Sequence, residues 1–236
     1  MVLKRYNGVY MEKSSLVIVA VSFIVLLGGA LVYSAVKDGS TDEVVTLAEK
    51  VKGNPESTVI LAEYSDFQCP ACASFTPILE EIMSEYGDQL RFEYHHFPLI
   101  SIHPSAELAA RVSEAAGVQG KFWEMHDLLF ERQASWSQSI NPKNQFTDFA
   151  KELGLDVDAF NRHLNTKAVR ETVQEDMREG RSLQITGTPS FYLNGEKMEI
   201  TTFEDFKKQI EVAIGVTAAD DSETESQAAT DVEFSF

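Results

Sequence analysis

Cys69 and Cys72 are the only cysteines in this 236-residue chain, and they stand three positions apart in SDFQCPACASFTPIL, residues 65–79. Two thiols one turn apart suit thiol–disulfide exchange: one attacks a disulfide as the thiolate, and the other resolves the mixed disulfide that forms. The local sequence supports that division of labour. A strand-like run ends before Cys69 and a helical pattern starts after it. Pro70 takes the first helical position, where its missing N–H is not needed. Cys69 is then the N-cap, with its sulfur over the free N–H groups of the first turn, which Pro70 and Ala71 begin. That helix end carries roughly half a positive charge, which lowers a thiol below its free value of about 8.5.

Other uses of the pair fit less well. A structural bridge over so short a loop contributes little stability. Zinc takes about four ligands, and one C-x-x-C supplies two. The five histidines, His95, His96, His103, His126 and His163, show no finger spacing. Two inert buried thiols leave Pro70 and the strand–helix junction unexplained. Phosphate-loop, zinc-protease and dinucleotide motifs are missing, so neither metal nor cofactor is expected.

Around this junction the chain divides into segments. Residues 16–36, LVIVAVSFIVLLGGALVYSAV, carry no charge, and at about 1.5 Å per residue they reach across roughly 30 Å of hydrocarbon. Lys4, Arg5 and Lys13 precede them; Asp38, Asp42 and Glu43 follow. The positive-inside rule puts residues 1–13 in the cytoplasm, a signal anchor at 14–36 and the rest outside. The competing reading is a signal peptide cleaved near Ser34 or Ala35. Both place the soluble part where disulfides persist. Residues 37–55 read as a linker with one short helix. The net charge of −17 excludes nucleic acid as a natural partner. Part of that charge belongs to an acidic tail, residues 217–236, expected to be disordered.

Between linker and tail, STVILAEYSD (57–66) reads as a buried strand. Phe75, Ile78, Leu79, Ile82, Met83 and Tyr86 fall on one helix face, which Gly87 ends. LRFEYHHFPL (90–99) reads as a second strand, so the order implies a parallel βαβ unit. Helical patterns run from about 104 to 182. Ser105 caps the first, one long helix covers 121–133, and Phe122, Trp123, Leu129 and Phe130 read as core. A hairpin follows around Asn194-Gly195. Thr201 and Glu204 form a capping box for a last helix. His95 and His96 read as ordinary strand-end residues.

This layout resembles the thioredoxin fold, and within it the disulfide-oxidising, DsbA-like branch. Four features carry the resemblance over about 57–215: the Cys-Pro-x-Cys form, Glu63 six residues before Cys69, Pro77 five after Cys72, and TGTPSF (186–191). The resemblance implies a thioredoxin-like α/β domain at 56–216 with an inserted helical subdomain. It implies a buried acid at Glu63, and a cis Pro189 that turns Thr188 toward Cys69. On a buried strand Glu63 should titrate high, because desolvation disfavours its charge. It could then take the proton from Cys72; a solvated or salt-bridged Glu is the alternative. Asp66 is the other nearby carboxylate and reads as a turn residue. The Thr188 backbone could pair with an extended substrate strand. Ala71 stands where the strongest oxidants carry His, which implies a less oxidising couple.

The function this implies is a membrane-anchored, extracytoplasmic oxidoreductase that passes disulfides to reduced exported proteins. The resemblance adds a membrane thiol oxidase that restores its bridge. A reductase or isomerase for particular secreted proteins, or a tethered peptide-binding chaperone, are the alternatives.

Overall fold

The computed structural model describes residues 43–216. The apolar segment 16–36 and the acidic tail 217–236 lie outside the described residues. Among the described residues, no helix is long and apolar enough to cross a membrane.

The strands are β1 (Val51–Gly53), β2 (Ile60–Ser65), β3 (Arg91–His96), β4 (Ser190–Leu193) and β5 (Glu196–Lys197). They form one sheet in the order β1-β3-β2-β4-β5. β2 and β3 are parallel, joined across helix α1 (Pro70–Tyr86), as a strand–helix–strand order requires. The other pairings are antiparallel. β2 is therefore central, and its register sets Glu63 between Tyr94 on β3 and Phe191 on β4.

α1 forms because its apolar residues recur at helical spacing, burying Leu79, Ile82 and Tyr86 together with Cys72. Between β3 and β4 stand six helices: α2 (Ala106–Gly117), α3 (Phe122–Glu131), α4 (Gln133–Trp136), α5 (Lys143–Glu152), α6 (Val157–His163) and α7 (Lys167–Ser182). They form the helical insertion on a thioredoxin-like fold. Asp156 and Thr166 cap α6 and α7 with side-chain oxygens. The last helix is α8 (Phe203–Ile214). The β4–β5 hairpin turns on Asn194 and Gly195, at φ 52° and 84°, the positive angles that a two-residue turn requires.

The main core joins Leu61, Phe92 and Tyr94 of the sheet to Phe122, Leu129 and Phe130 of the insertion. Burying each such side chain contributes about 1.5–3 kcal/mol. On the opposite face, α7 crosses the sheet at Gly180. A Cβ there would lie 2.5 Å from Phe97 Cδ2, so only glycine permits this approach.

Several boundaries differ from the sequence expectation. Val51–Gly53, expected within the linker, pairs with β3 and covers an edge that would otherwise be open. No helix forms over the described part of that linker. The long helix over 121–133 breaks at Arg132 (φ −103°, ψ 18°), and α4 restarts after it. Trp136 is fully buried there, and its Nε1 donates to the Leu129 carbonyl at 2.8 Å. Ser105 stands at the N-cap of α2 but makes no side-chain cap bond. The cap of α8 lies one residue later than expected: Thr202 Oγ1 accepts from the Asp205 N–H, and Asp205 Oδ2 accepts from the Thr201 N–H. The shorter Asp side chain takes the place expected for Glu204.

Candidate active site

β2 delivers the chain to the site through a tightly held turn. Asp66 is buried and saturated with donors. Its Oδ1 accepts from the Gln68 N–H at 2.7 Å. Its Oδ2 accepts from the Leu99 N–H at 2.8 Å and lies 2.7 Å from His103 Nδ1. Its carbonyl accepts from the Cys69 N–H at 2.9 Å. The insertion grips the same turn from the other side: Gln133 Nε2 donates to the carbonyls of Phe67 (2.8 Å) and Cys69 (2.9 Å). Gln68 Nε2 donates to the Ser137 carbonyl at 2.8 Å. The turn is thus fixed before any substrate arrives.

Cys69 follows as the N-cap of α1, in extended conformation, with Pro70 at the first helical position. Its Sγ donates to the Thr188 carbonyl at 3.3 Å. The Thr188–Pro189 peptide is cis. Cys72, one turn into the helix, is almost fully buried. Both thiols are free.

The surroundings split the two thiols. Cys69 is lowered from its ordinary value to about 5. The largest cause is a hydrogen bond from the Cys72 thiol; burial opposes it, and the Thr188 side chain and the backbone N–H groups of Cys72 and Ala71 add to it. The Thr188 hydroxyl is buried and has no other partner. So the helix end helps, as expected for Pro70 and Ala71, but the neighbouring thiol contributes more. Burial pushes Cys72 well up, and the bond to Cys69 and the charges of Glu63 and Cys69 push it further. Glu63 keeps 2% of its surface exposed, and burial raises it to about 7.

The structure therefore brings together Cys69, Cys72, Pro70, Ala71, Glu63, Thr188 and Pro189. Beside Cys69 runs a groove of about 420 Å³ lined by Phe75, Gly187, Thr188, Pro189, Met198 and Ile200. Its lining mixes polar and apolar surface and includes the Thr188 backbone.

Sequence reasoning missed Gln133, whose two bonds to the turn span more than 60 residues of chain; no local pattern marks such a contact. It also undervalued His96, read as a strand-end residue. His96 is buried, with Nε2 2.9 Å from Glu114 Oε1 and its N–H donating to Asp176 Oδ2 at 2.9 Å. Lys50 Nζ bridges the same carboxylates, 3.0 Å from Glu114 and 2.8 Å from Asp176. Donor atoms of His95, Asp176 and Glu179 also lie within 4.8 Å of one another, as a metal site would require. The Lys50 ammonium against Asp176 opposes a second cation there.

A parallel βαβ core, a helical insertion and a Cys-Pro-Ala-Cys helix end beside a cis-proline loop define a thioredoxin-fold protein of the DsbA-like type. The family model described as "Thioredoxin" matches residues 46–212, and the chain belongs to that family. Among solved structures, the fold is similar to BdbD from Bacillus subtilis: TM-score 0.63, 23% identity, covering 74% of this chain and 99% of that one. It is also similar to α-DsbA1 of Wolbachia pipientis: TM-score 0.61, 24% identity, covering 71% and 91%. A protein-disulfide isomerase from Novosphingobium aromaticivorans gives a TM-score of 0.60 at 21% identity, covering 72% and 100%. Curated relatives carry another name. "Na(+)/H(+) antiporter NhaA 1" of Salinispora arenicola is 36% identical over 149 residues, 63% of this chain and 22% of that protein. Its namesake in Mycolicibacterium gilvum is 34% identical over 153 residues, 63% and 24%. The chain spans about a quarter or less of the length of these relatives.

Proposed function

We propose that this chain is a membrane-anchored, extracytoplasmic thiol–disulfide oxidoreductase that introduces disulfides into exported proteins. One observation carries the reading. An ionisable Cys69 sulfur rests on the Thr188 carbonyl at the mouth of a groove, with a protonated Cys72 directly behind it. A reduced substrate chain lies along Thr188, and its thiolate attacks Cys69 of the oxidised pair. Cys72 leaves and takes up a proton, for which Glu63 is the nearest buried acid. A second substrate thiolate then attacks the substrate sulfur of the mixed disulfide, and Cys69 leaves as a stabilised thiolate. The low value of Cys69 favours the reduced protein and hence oxidation of the substrate.

The uncharged segment 16–36 supports the anchor, and the exchange chemistry supports an oxidising compartment. Reoxidation by a membrane thiol oxidase completes the cycle. The antiporter names describe whole proteins of which this match is a minor part, so ion transport is not carried over.

Refolding of a reduced, disulfide-requiring protein tests the reading. The oxidised wild type accelerates it, and Cys69→Ser does not. Equal rates for the two would remove Cys69 from the chemistry. A potential of about −270 mV, thioredoxin's value, would point to a reductase. A double Cys→Ser variant that keeps its cellular role would point to a binding module.

A further inference from the structure

Behind the cysteine pair, three buried polar groups surround a hydroxyl that the exchange reaction has not so far employed. Glu63 and Ser65 follow each other on one face of β2, and Tyr94 is the direct cross-strand neighbour of Glu63 on β3. Ser65, Tyr94 and Cys72 each keep 1% of their surface exposed. The Ser65 hydroxyl and the Tyr94 hydroxyl are both buried without a hydrogen-bond partner. Orphans of this kind are uncommon in folded proteins, where buried polar groups are paired.

Their placement is specific. The Ser65 hydroxyl favours the charged forms of Glu63, Cys72 and Tyr94, although it makes no hydrogen bond to any of them in the resting geometry. Glu63, by contrast, acts on Cys72 through its charge and not through a hydrogen bond. A serine hydroxyl has one donor and two acceptor sites. Accepting from Cys72 and Tyr94 while donating to the Glu63 carboxylate would fill all three. Burial first, and then the charges of Glu63 and Cys72, hold Tyr94 far above its ordinary value, so its hydroxyl stays a donor. The remaining titratable groups about the pocket are Cys69 at the head of α1, Asp66 after β2, and His96 and His126, which pack edge-on against the Tyr94 ring.

We infer that Ser65 is the proton bridge between Cys72 and Glu63, with Tyr94 as the positioning residue that orients its hydroxyl. This rests on the exchange reaction proposed above. When Cys72 attacks a mixed disulfide at Cys69, its S–H proton passes to the Ser65 oxygen while the Ser65 proton passes to the Glu63 carboxylate. The new Cys72–Cys69 bond forms as the bond from Cys69 to the substrate sulfur breaks, and the substrate leaves as a thiolate. Serine ends unchanged and Glu63 ends protonated. In the oxidising direction the same steps run backwards, and Glu63 returns a proton to the departing Cys72.

A chromogenic aromatic disulfide separates the two thiols. Attack by reduced Cys69 releases one coloured thiolate, and attack by Cys72 on the resulting mixed disulfide releases a second. In Ser65→Ala the first release should keep its wild-type rate. The second should slow about 100-fold near neutral pH, the low end of what a positioned proton acceptor supplies. Its pH profile should lose the inflection set by Glu63 and rise continuously instead. Tyr94→Phe should slow the second release less, and Ser65→Thr, which keeps a hydroxyl, should restore it. An unchanged second release in Ser65→Ala overturns the proposal. So does equal slowing of both releases, which would mean distortion of the site, or failure of Ser65→Thr to recover when it remains folded. Absence of the first release in the wild type would instead sink the exchange reaction itself.

Discussion

Cys72→Ala tests what holds the Cys69 thiolate. The bond from the Cys72 thiol is the largest influence on Cys69, ahead of Thr188 and of the N–H groups of Cys72 and Ala71. A hydrogen bond to a charged group contributes about 1.5–3 kcal/mol, and one pH unit corresponds to about 1.4 kcal/mol. Removing the thiol should therefore raise Cys69 from about 5 by about 1–2 pH units. Solvent reaching the sulfur from the groove screens part of this, which favours the lower half of the range. A helix end alone contributes about 0.3–1 kcal/mol, under one pH unit. Cys72→Ser, which keeps a donor, should stay near the wild type. Titration of the thiolate by its ultraviolet absorbance reads all three proteins. Because the folded value is depressed, the thiolate stabilises the reduced fold at high pH, and that stability is lost as pH falls through about 5. Cys72→Ala should move this loss upward. If Cys72→Ala titrates with the wild type, the helix end and the proline loop hold the anion, and the account of the paired thiols is wrong.

Two further perturbations address the frame around the pair. Burial raises Glu63 to about 7, so its contribution to stability is present below the unfolded carboxyl value and is lost as pH rises toward 7. Glu63→Gln should gain on the wild type by about 3.5 kcal/mol between acid and mildly alkaline pH, the product of that shift and ~1.4 kcal/mol per pH unit; parallel denaturation curves at all pH values would refute this. Lys50→Met leaves the buried carboxylates of Glu114 and Asp176 without their ammonium and should cost about 3–5 kcal/mol in chemical denaturation. Burial pushes both carboxyls up, but His96 and Lys50 beside Glu114, and His95, Lys50 and His96 beside Asp176, hold them below the usual range. The wild type should therefore lose this increment as pH falls through their values, and a loss under ~0.5 kcal/mol on mutation would refute the bridging role of Lys50.

How much of this was legible in the chain depended on the range of the interaction. The α1 start at Pro70, the Asn194–Gly195 hairpin and the alternation of β3 are local, and the residue types report them directly. The nearness of Pro189 to Cys69 spans 120 positions; it became visible only through the family resemblance, because neither periodicity nor spacing connects the two segments. β1 reads as linker in the sequence because three residues, Val51–Gly53, are too few to show a period. The break at Arg132 leaves no local mark, because Glu131, Gln133 and Ala134 beside it all favour helix. The polar network of Lys50, His96, Glu114 and Asp176 left no mark, since charged residues read as solvated until the fold encloses them.

The same distinction explains why the chemistry gathers on β2. The central strand is paired on both sides; it carries Glu63 and Ser65, ends four residues before Cys69, and is followed at once by Asp66. Alternation along the strand sends Glu63 and Ser65 to the face beneath α1, where they meet Cys72. The strand then ends, freeing Asp66 to fold back on Gln68 and brace the turn. Proton acceptor, hydroxyl and nucleophile are thus fixed by one short backbone path, while the groove that receives substrate comes from the distant β4 loop. Changes in that loop can alter which chains bind without disturbing how the proton moves.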